Sequence, residues 1–280
     1  MMTMTLPAAP TNGLSLTLDE ILAELAALAQ QLPGPPLTFR SRVADPKNSA
    51  QAWRRQVQTL YLVARHGFSQ AILVDTVLAR LEDQGLRGGA RGKQFERLIK
   101  VNLLESSKLS IVRPFDTNLV VWKLTADGRR LAQALFNAEP IETNWERVVR
   151  RHQGDEQIGH TLGLLLFEVY ARQRGARVKL LPDVDCPTPP DLVIEYAGQR
   201  MYVEVELSEK ENPAKWRNLA ALNTGHIAVC AGNAAQRARL VGDCKQLGLS
   251  GAATDLQTLV QEFMTQREAA HALPLFCETW

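Results

Sequence analysis

The stretch "PPDLVIEYAGQRMYVEVELSEK", residues 189–210, constrains the fold of this chain most. Two short runs rich in Val, Ile, Leu and Tyr meet at Gly198, a spacing that predicts a β-hairpin. A hairpin needs covering layers to be stable in water. Helical patterns supply them: "IGHTLGLLLFEVYARQRG" before it, with Gly175 as C-terminal cap, and "NPAKWRNLAALN" after it. Further strands are expected at "RVKLLPDVD" and "HIAVCAG", and further helices at "AAQRARLVGDCKQLG" and "TDLQTLVQEFMTQRE". Residues 139–280 therefore read as an α/β domain, a central mixed sheet flanked by helices, entered through a helical connector at "TNWERVVRRHQGDEQ".

The hairpin carries acids where a plain strand would carry neutral residues. Asp191 stands at the entry of one strand, and Glu204 and Glu206 sit two apart on the next. The pleat sends both glutamates to one side and leaves Val203, Val205 and Leu207 for packing on the other. Three carboxylates gathered at one sheet edge repel unless protons or a cation compensate, and a hard divalent ion, Mg2+ or Mn2+, is the natural occupant. Such an ion would polarise a scissile phosphate and activate a water. The competing reading of a bare acid-x-acid strand is a solvent-facing side that alternates for solubility. Lys215, in the first turn of the following helix, and Lys210 before it could each swing an ammonium toward the acids, Lys215 being the better placed. Glu168 offers a fourth carboxylate from the preceding helix. His160, two turns earlier, reads either as a phosphate contact or water positioner, or as a cap or satisfied core group; His226 carries the same ambiguity.

The N-terminal half has a different texture. "SLTLDEILAELAALAQQL" predicts an amphipathic helix over 16–32, whose Leu18, Ile21, Leu22, Leu25 and Leu28 must bury against this chain or a second copy of it. Residues 33–49, with several prolines, read as a linker, so 1–49 is expected to be an N-terminal helix and linker. Over 50–138 come three helices, at "AWRRQVQTLYLVARHG", "SQAILVDTVLARLEDQG" and "RGKQFERLIKVNLLE". Two strands follow, at "KLSIVRP" and "NLVVWKLT", around a turn near 116–118, and then a helix capped by Thr125. That order describes an α+β winged helix-turn-helix. Its third helix is basic, with Arg91, Lys93, Gln94, Arg97 and Lys100 preceded by Arg87, a set suited to double-stranded DNA in the major groove; Lys108 and Lys123 on the wing would add phosphate contacts. The alternative is a solvated basic face on a module that serves protein contacts.

Lys and Arg number 32 against 30 Asp and Glu, so DNA affinity must come from this local clustering and not from bulk charge. Cys186, Cys230, Cys244 and Cys277 lack zinc-site spacing and read as reduced thiols of a cytoplasmic protein. No segment is apolar enough to suggest export or membrane spanning.

On "LLLFEVYARQRG", "PPDLVIEY" and "MYVEVEL", the run from His160 to about Gly232 resembles the PD-(D/E)xK superfamily, the restriction-endonuclease-like fold. The resemblance implies Mg2+- or Mn2+-dependent hydrolysis of DNA phosphodiester bonds, with Asp191 and Glu204 as metal ligands and Glu168 in support. The family pattern usually has Lys where this chain has Glu206. That leaves Glu206 as a third ligand and Lys215 as the substitute cation. A second likeness spans more of the chain: "WKLTADGRRLA", "IGHTLGLLLFEVY" and the acidic hairpin are similar to the replication-relaxation family of plasmid and mobile-element proteins. It implies the alternative to an endonuclease, a non-catalytic DNA-binding regulator or replication accessory factor with a degenerate nuclease fold.

Overall fold

The computed structural model describes residues 14–85, 89–111, 117–151, 158–208, 212–265 and 272–280. They form two compact units, one holding 18–109 and 119–150, the other built around 151–280. The architecture is mixed α/β, with a mixed sheet flanked by helices in the second unit.

The first unit runs α1 (Leu18–Gln30), α2 (Ala50–His66), α3 (Ala71–Leu81), α4 (Gly89–Lys100), a hairpin of β1 (Leu104–Ile111) and β2 (Thr117–Leu124), α5 (Ala126–Phe136) and α6 (Asn144–Arg151). Leu18, Ile21, Leu25 and Leu28 are buried, and α1 packs on α2 and α3. These four residues of the apolar stripe are thus packed within the chain, and Leu22 is half-buried. Residues 33–49 differ from the expected linker. Trp53 Nε1 donates to the Pro33 carbonyl at 3.0 Å, the Ala44 amide donates to Gln56 Oε1 at 2.8 Å, and Val43 and Ala44 are buried. Proline content hid this, because isolated residues do the anchoring and no period records them. Residues 139–150 also belong to this unit. Thr143 and Glu146 make a reciprocal capping box that starts α6, and Arg129 of α5 holds Glu146 at 3.0 Å. Thr125 caps α5 by accepting from the Gly128 amide at 3.0 Å. Strand β1 begins at Leu104, four residues before the expected 108. The expected turn overlaps 112–116, which lie outside the described residues, as do Arg87 and Lys210.

The second unit runs α7 (Ile158–Gln173), β3 (Arg177–Leu180), β4 (Leu192–Tyr196), β5 (Gln199–Glu206), α8 (Pro213–Leu222), β6 (His226–Ala231), α9 (Ala234–Gln246), β7 (Ser250–Asp255), α10 (Leu256–Thr265) and β8 (Glu278–Thr279). The sheet order is β3-β4-β5-β6-β7-β8, with β5, β6 and β7 mutually parallel and the outer pairings antiparallel. Strand β5 is therefore an inner strand. The β4–β5 turn is two residues long, with Ala197 and Gly198 both at positive φ, the conformation that matches strand twist and favours glycine at its second position. Strand β7 escapes a sequence reading because "SGAATD" has Thr254 as its one branched residue and is otherwise small or polar. Its smallness is steric. A Cβ on Gly251 would stand 2.2 Å from the Ile227 carbonyl oxygen.

Register divides the two faces. Glu204 pairs with Val229, on the face where Trp216 and Leu219 of α8 pack with Leu240 and Val241 of α9. Val205 pairs with Cys230 on the opposite face, against Gly163 of α7. The four cysteines are free thiols. No helix among the described residues is long and apolar enough to cross a membrane.

Candidate functional site

Asp191, Glu204, Glu206, Lys215 and His160 meet at one end of the sheet, brought there by four elements. Asp191 precedes β4, and its backbone carbonyl accepts from the Leu181 amide at 2.8 Å, which fixes the entry of the strand. Its Oδ2 accepts from the Val205 amide of β5 at 2.9 Å, and its Oδ1 lies 3.1 Å from His160 Nε2 on α7. Glu204 points into the apolar α8 layer and is 2% exposed. Lys215 comes from the first turn of α8, where Asn212 accepts from the Lys215 amide at 3.1 Å and Pro213 opens the helix. Its Nζ stands 3.0 Å from Glu204 Oε2 and 3.1 Å from Glu206 Oε2. The other oxygen of Glu206 accepts from the amide and hydroxyl of Ser208, at 2.9 and 2.6 Å. The acids are thus not a symmetrical trio: Asp191 and Glu204 adjoin, and Lys215 separates them from Glu206. Among the described residues, no three His, Cys, Asp or Glu side chains converge as a ready metal cage.

Burial in this layer, followed by the charge of Asp191, pushes Glu204 up to about 9, against the pull of Lys215. Burial also pushes Asp191 up, but the hydrogen bond and charge of His160 and the charge of Lys215 outweigh it and hold Asp191 at about 2. At neutral pH the pair shares one proton, which Glu204 carries and donates toward Asp191. Burial pushes Lys215 down, yet Glu204, Asp191 and Glu206 together raise it, so it stays an ammonium. Against burial, Lys215 and Ser208 hold Glu206 below the ordinary carboxylate range. For His160 burial acts downward, and Asp191 reverses it to a net rise.

No family model, curated protein or solved structure matches this chain.

Glu168 is placed elsewhere. It is fully buried, and Arg172 Nε donates to it at 2.9 Å while the same guanidinium reaches the Val178 carbonyl at 3.0 Å. Eight residues of helix, about 12 Å of rise, separate it from His160. His226 opens β6 at the opposite end of that strand, its Nδ1 2.8 Å from Ser250 Oγ. Ser208 was missed in the sequence, although a serine two residues past a strand glutamate is the signal of a side-chain-to-backbone turn.

The basic helix of the first unit is α4, and it divides. Lys93, Arg97 and Lys100 are exposed, as is Lys108 on β1. Arg97 also donates to the Val43 carbonyl at 3.1 Å, and Gln94 Oε1 accepts from Gln56 at 2.9 Å. Lys123 is paired with Glu105 at 3.0 Å. Arg91, expected at a phosphate or base edge, is 0% exposed. Its guanidinium is held by Asp75 at 2.7 Å, Gln84 at 3.1 Å and the Gly85 carbonyl at 2.6 Å. It anchors the start of α4 and has no path to a groove.

Proposed function

We propose that the second unit hydrolyses DNA phosphodiester bonds with Mg2+ or Mn2+ and that the first unit, as a winged helix-turn-helix, holds the duplex. One observation carries this reading: a lysine ammonium sits between two strand glutamates, beside an aspartate held at the entry of the neighbouring strand. This set resembles the parts of a PD-(D/E)xK site, with the cation supplied by helix α8 in place of strand β5.

Asp191 and Glu204 offer hard oxygen donors, and the proton they share marks a place where a divalent cation can substitute for it. Glu206, already engaged by Ser208 and Lys215, is the weaker third ligand. The ion would supply Lewis acidity at the cleaved phosphate and a water of lowered pKa. The remaining work falls to the chain. Lys215, kept protonated by its neighbours, balances charge that develops on the phosphate oxygens. Glu206 and Ser208 keep that ammonium aimed. Lys93, Arg97, Lys100 and Lys108 serve phosphate contacts on the duplex.

Supercoiled plasmid incubated with the full chain and Mn2+ should be nicked or linearised, and Asp191→Asn and Lys215→Met should each abolish the products. Intact plasmid, or equal cutting by Asp191→Asn, refutes hydrolysis. A second reading, a non-catalytic DNA-binding accessory factor, is favoured by the charge compensation already present in the cluster, in which Lys215 and one proton offset two of the three carboxylate charges. In that case Mn2+ would leave the melting temperature unchanged.

A further inference from the structure

We propose that His160 is the positioning residue for Asp191, and that its donor nitrogen sets the affinity of the Asp191–Glu204 pair for a divalent cation. This rests on the metal site proposed above. A carboxylate held by one hydrogen bond still pivots about that bond. Asp191 is held by two, from opposite sides: Val205 of strand β5 donates to Oδ2 at 2.9 Å, and His160 of helix α7 meets Oδ1 at 3.1 Å. The two donors belong to different layers, so together they fix the plane of the carboxylate as well as its direction. Its two oxygens offer four lone pairs, of which Val205, His160 and Glu204 engage three, so one stays open and a second is freed where a cation displaces the Glu204 proton. The His160 side chain is 23% exposed and sits at the rim of the cluster, which does not match an imidazole merely filling the core. Since Asp191 accepts there, His160 must carry its proton on Nε2. Partners that orient a ligating group through a hydrogen bond change metal affinity by about 10- to 100-fold when removed.

The test compares the full wild-type chain with His160→Leu and His160→Gln at one fixed pH, following free Mn2+ by electron paramagnetic resonance. Glutamine places an amide N–H close to where Nε2 stands, whereas leucine keeps volume without a donor. The expected result is about tenfold or more weaker Mn2+ binding in His160→Leu, with most of the affinity recovered in His160→Gln and unchanged circular dichroism in both. A metal-free measurement runs beside it: the 15N–1H spectrum should show a protonated His160 Nε2 whose resonance moves in Asp191→Asn. If the wild type binds no Mn2+, the metal reading itself falls and this inference with it. If the wild type binds and His160→Leu binds as tightly, or His160→Gln is as weak as His160→Leu, only the positioning role is overturned. An Nε2 resonance indifferent to Asp191→Asn overturns it as well.

Discussion

Glu204→Gln should raise the stability of the metal-free protein, and increasingly so as pH rises. Glutamine keeps the volume, a donor toward Asp191 and an acceptor for Lys215, but cannot ionise. In the wild type Glu204 titrates near 9 when folded, against an ordinary value of 4.5, so between these the folded state holds one proton more than the unfolded state. Stability from this group is complete below 4.5 and is lost as pH climbs through about 9. One proton corresponds to between about 1 and 2 kcal/mol per pH unit, hence roughly 3 kcal/mol between pH 6 and pH 8. Glu204 is only 2% exposed, so solvent screening takes little from that figure. Against burial, Asp191 raises His160 above its ordinary value, and taking the difference between the two proteins removes most of its contribution. Urea denaturation in EDTA at pH 6, 7, 8 and 9 gives the curves directly. The gap between variant and wild type should widen by the stated amount and level off above pH 9. Parallel curves would mean that Glu204 is ionised throughout, and the shared proton would be refuted.

Arg91→Ala should cost about 3–5 kcal/mol in urea denaturation, because it strands the buried Asp75 and the Gly85 carbonyl without their cation. Lys93→Ala and Lys100→Ala should leave stability within about 0.5 kcal/mol, yet lower duplex affinity in fluorescence anisotropy and reduce the salt slope by about one each. Gly251→Ala should destabilise by about 3 kcal/mol or more, since the new methyl meets backbone of the adjacent strand, read as a lower denaturation midpoint with unchanged slope.

Much of the element order could be read from local pattern, because amphipathic spacing at α1 and α2, the long apolar run of α7 and alternation in β5 are strong signals. The Thr125 cap was equally legible, standing one residue before the helix it starts. What escaped depends on contacts between distant residues. Strand β7 is written in small residues because the neighbouring strand presses on it, a pressure that leaves no trace in its own window. Arg91 looks like its basic neighbours in sequence, and only the position of Asp75, sixteen residues earlier, turns it inward. At the acid cluster, residue types and parity were visible, while the partition was not. Glu168 lies too far along α7 and is taken by Arg172, and Lys215 divides Glu206 from the other two acids.

A lysine that shares a strand with its acid is bound to it by parity, and one inserted residue turns it away. Lys215 is released from that arithmetic, since it arrives on the capped first turn of a helix lying over the strand. Pattern scans written as fixed gaps along a chain will therefore pass over centres assembled in this way. They become visible once the query is spatial, asking whether a basic residue near a helix start overlies two glutamates of equal parity.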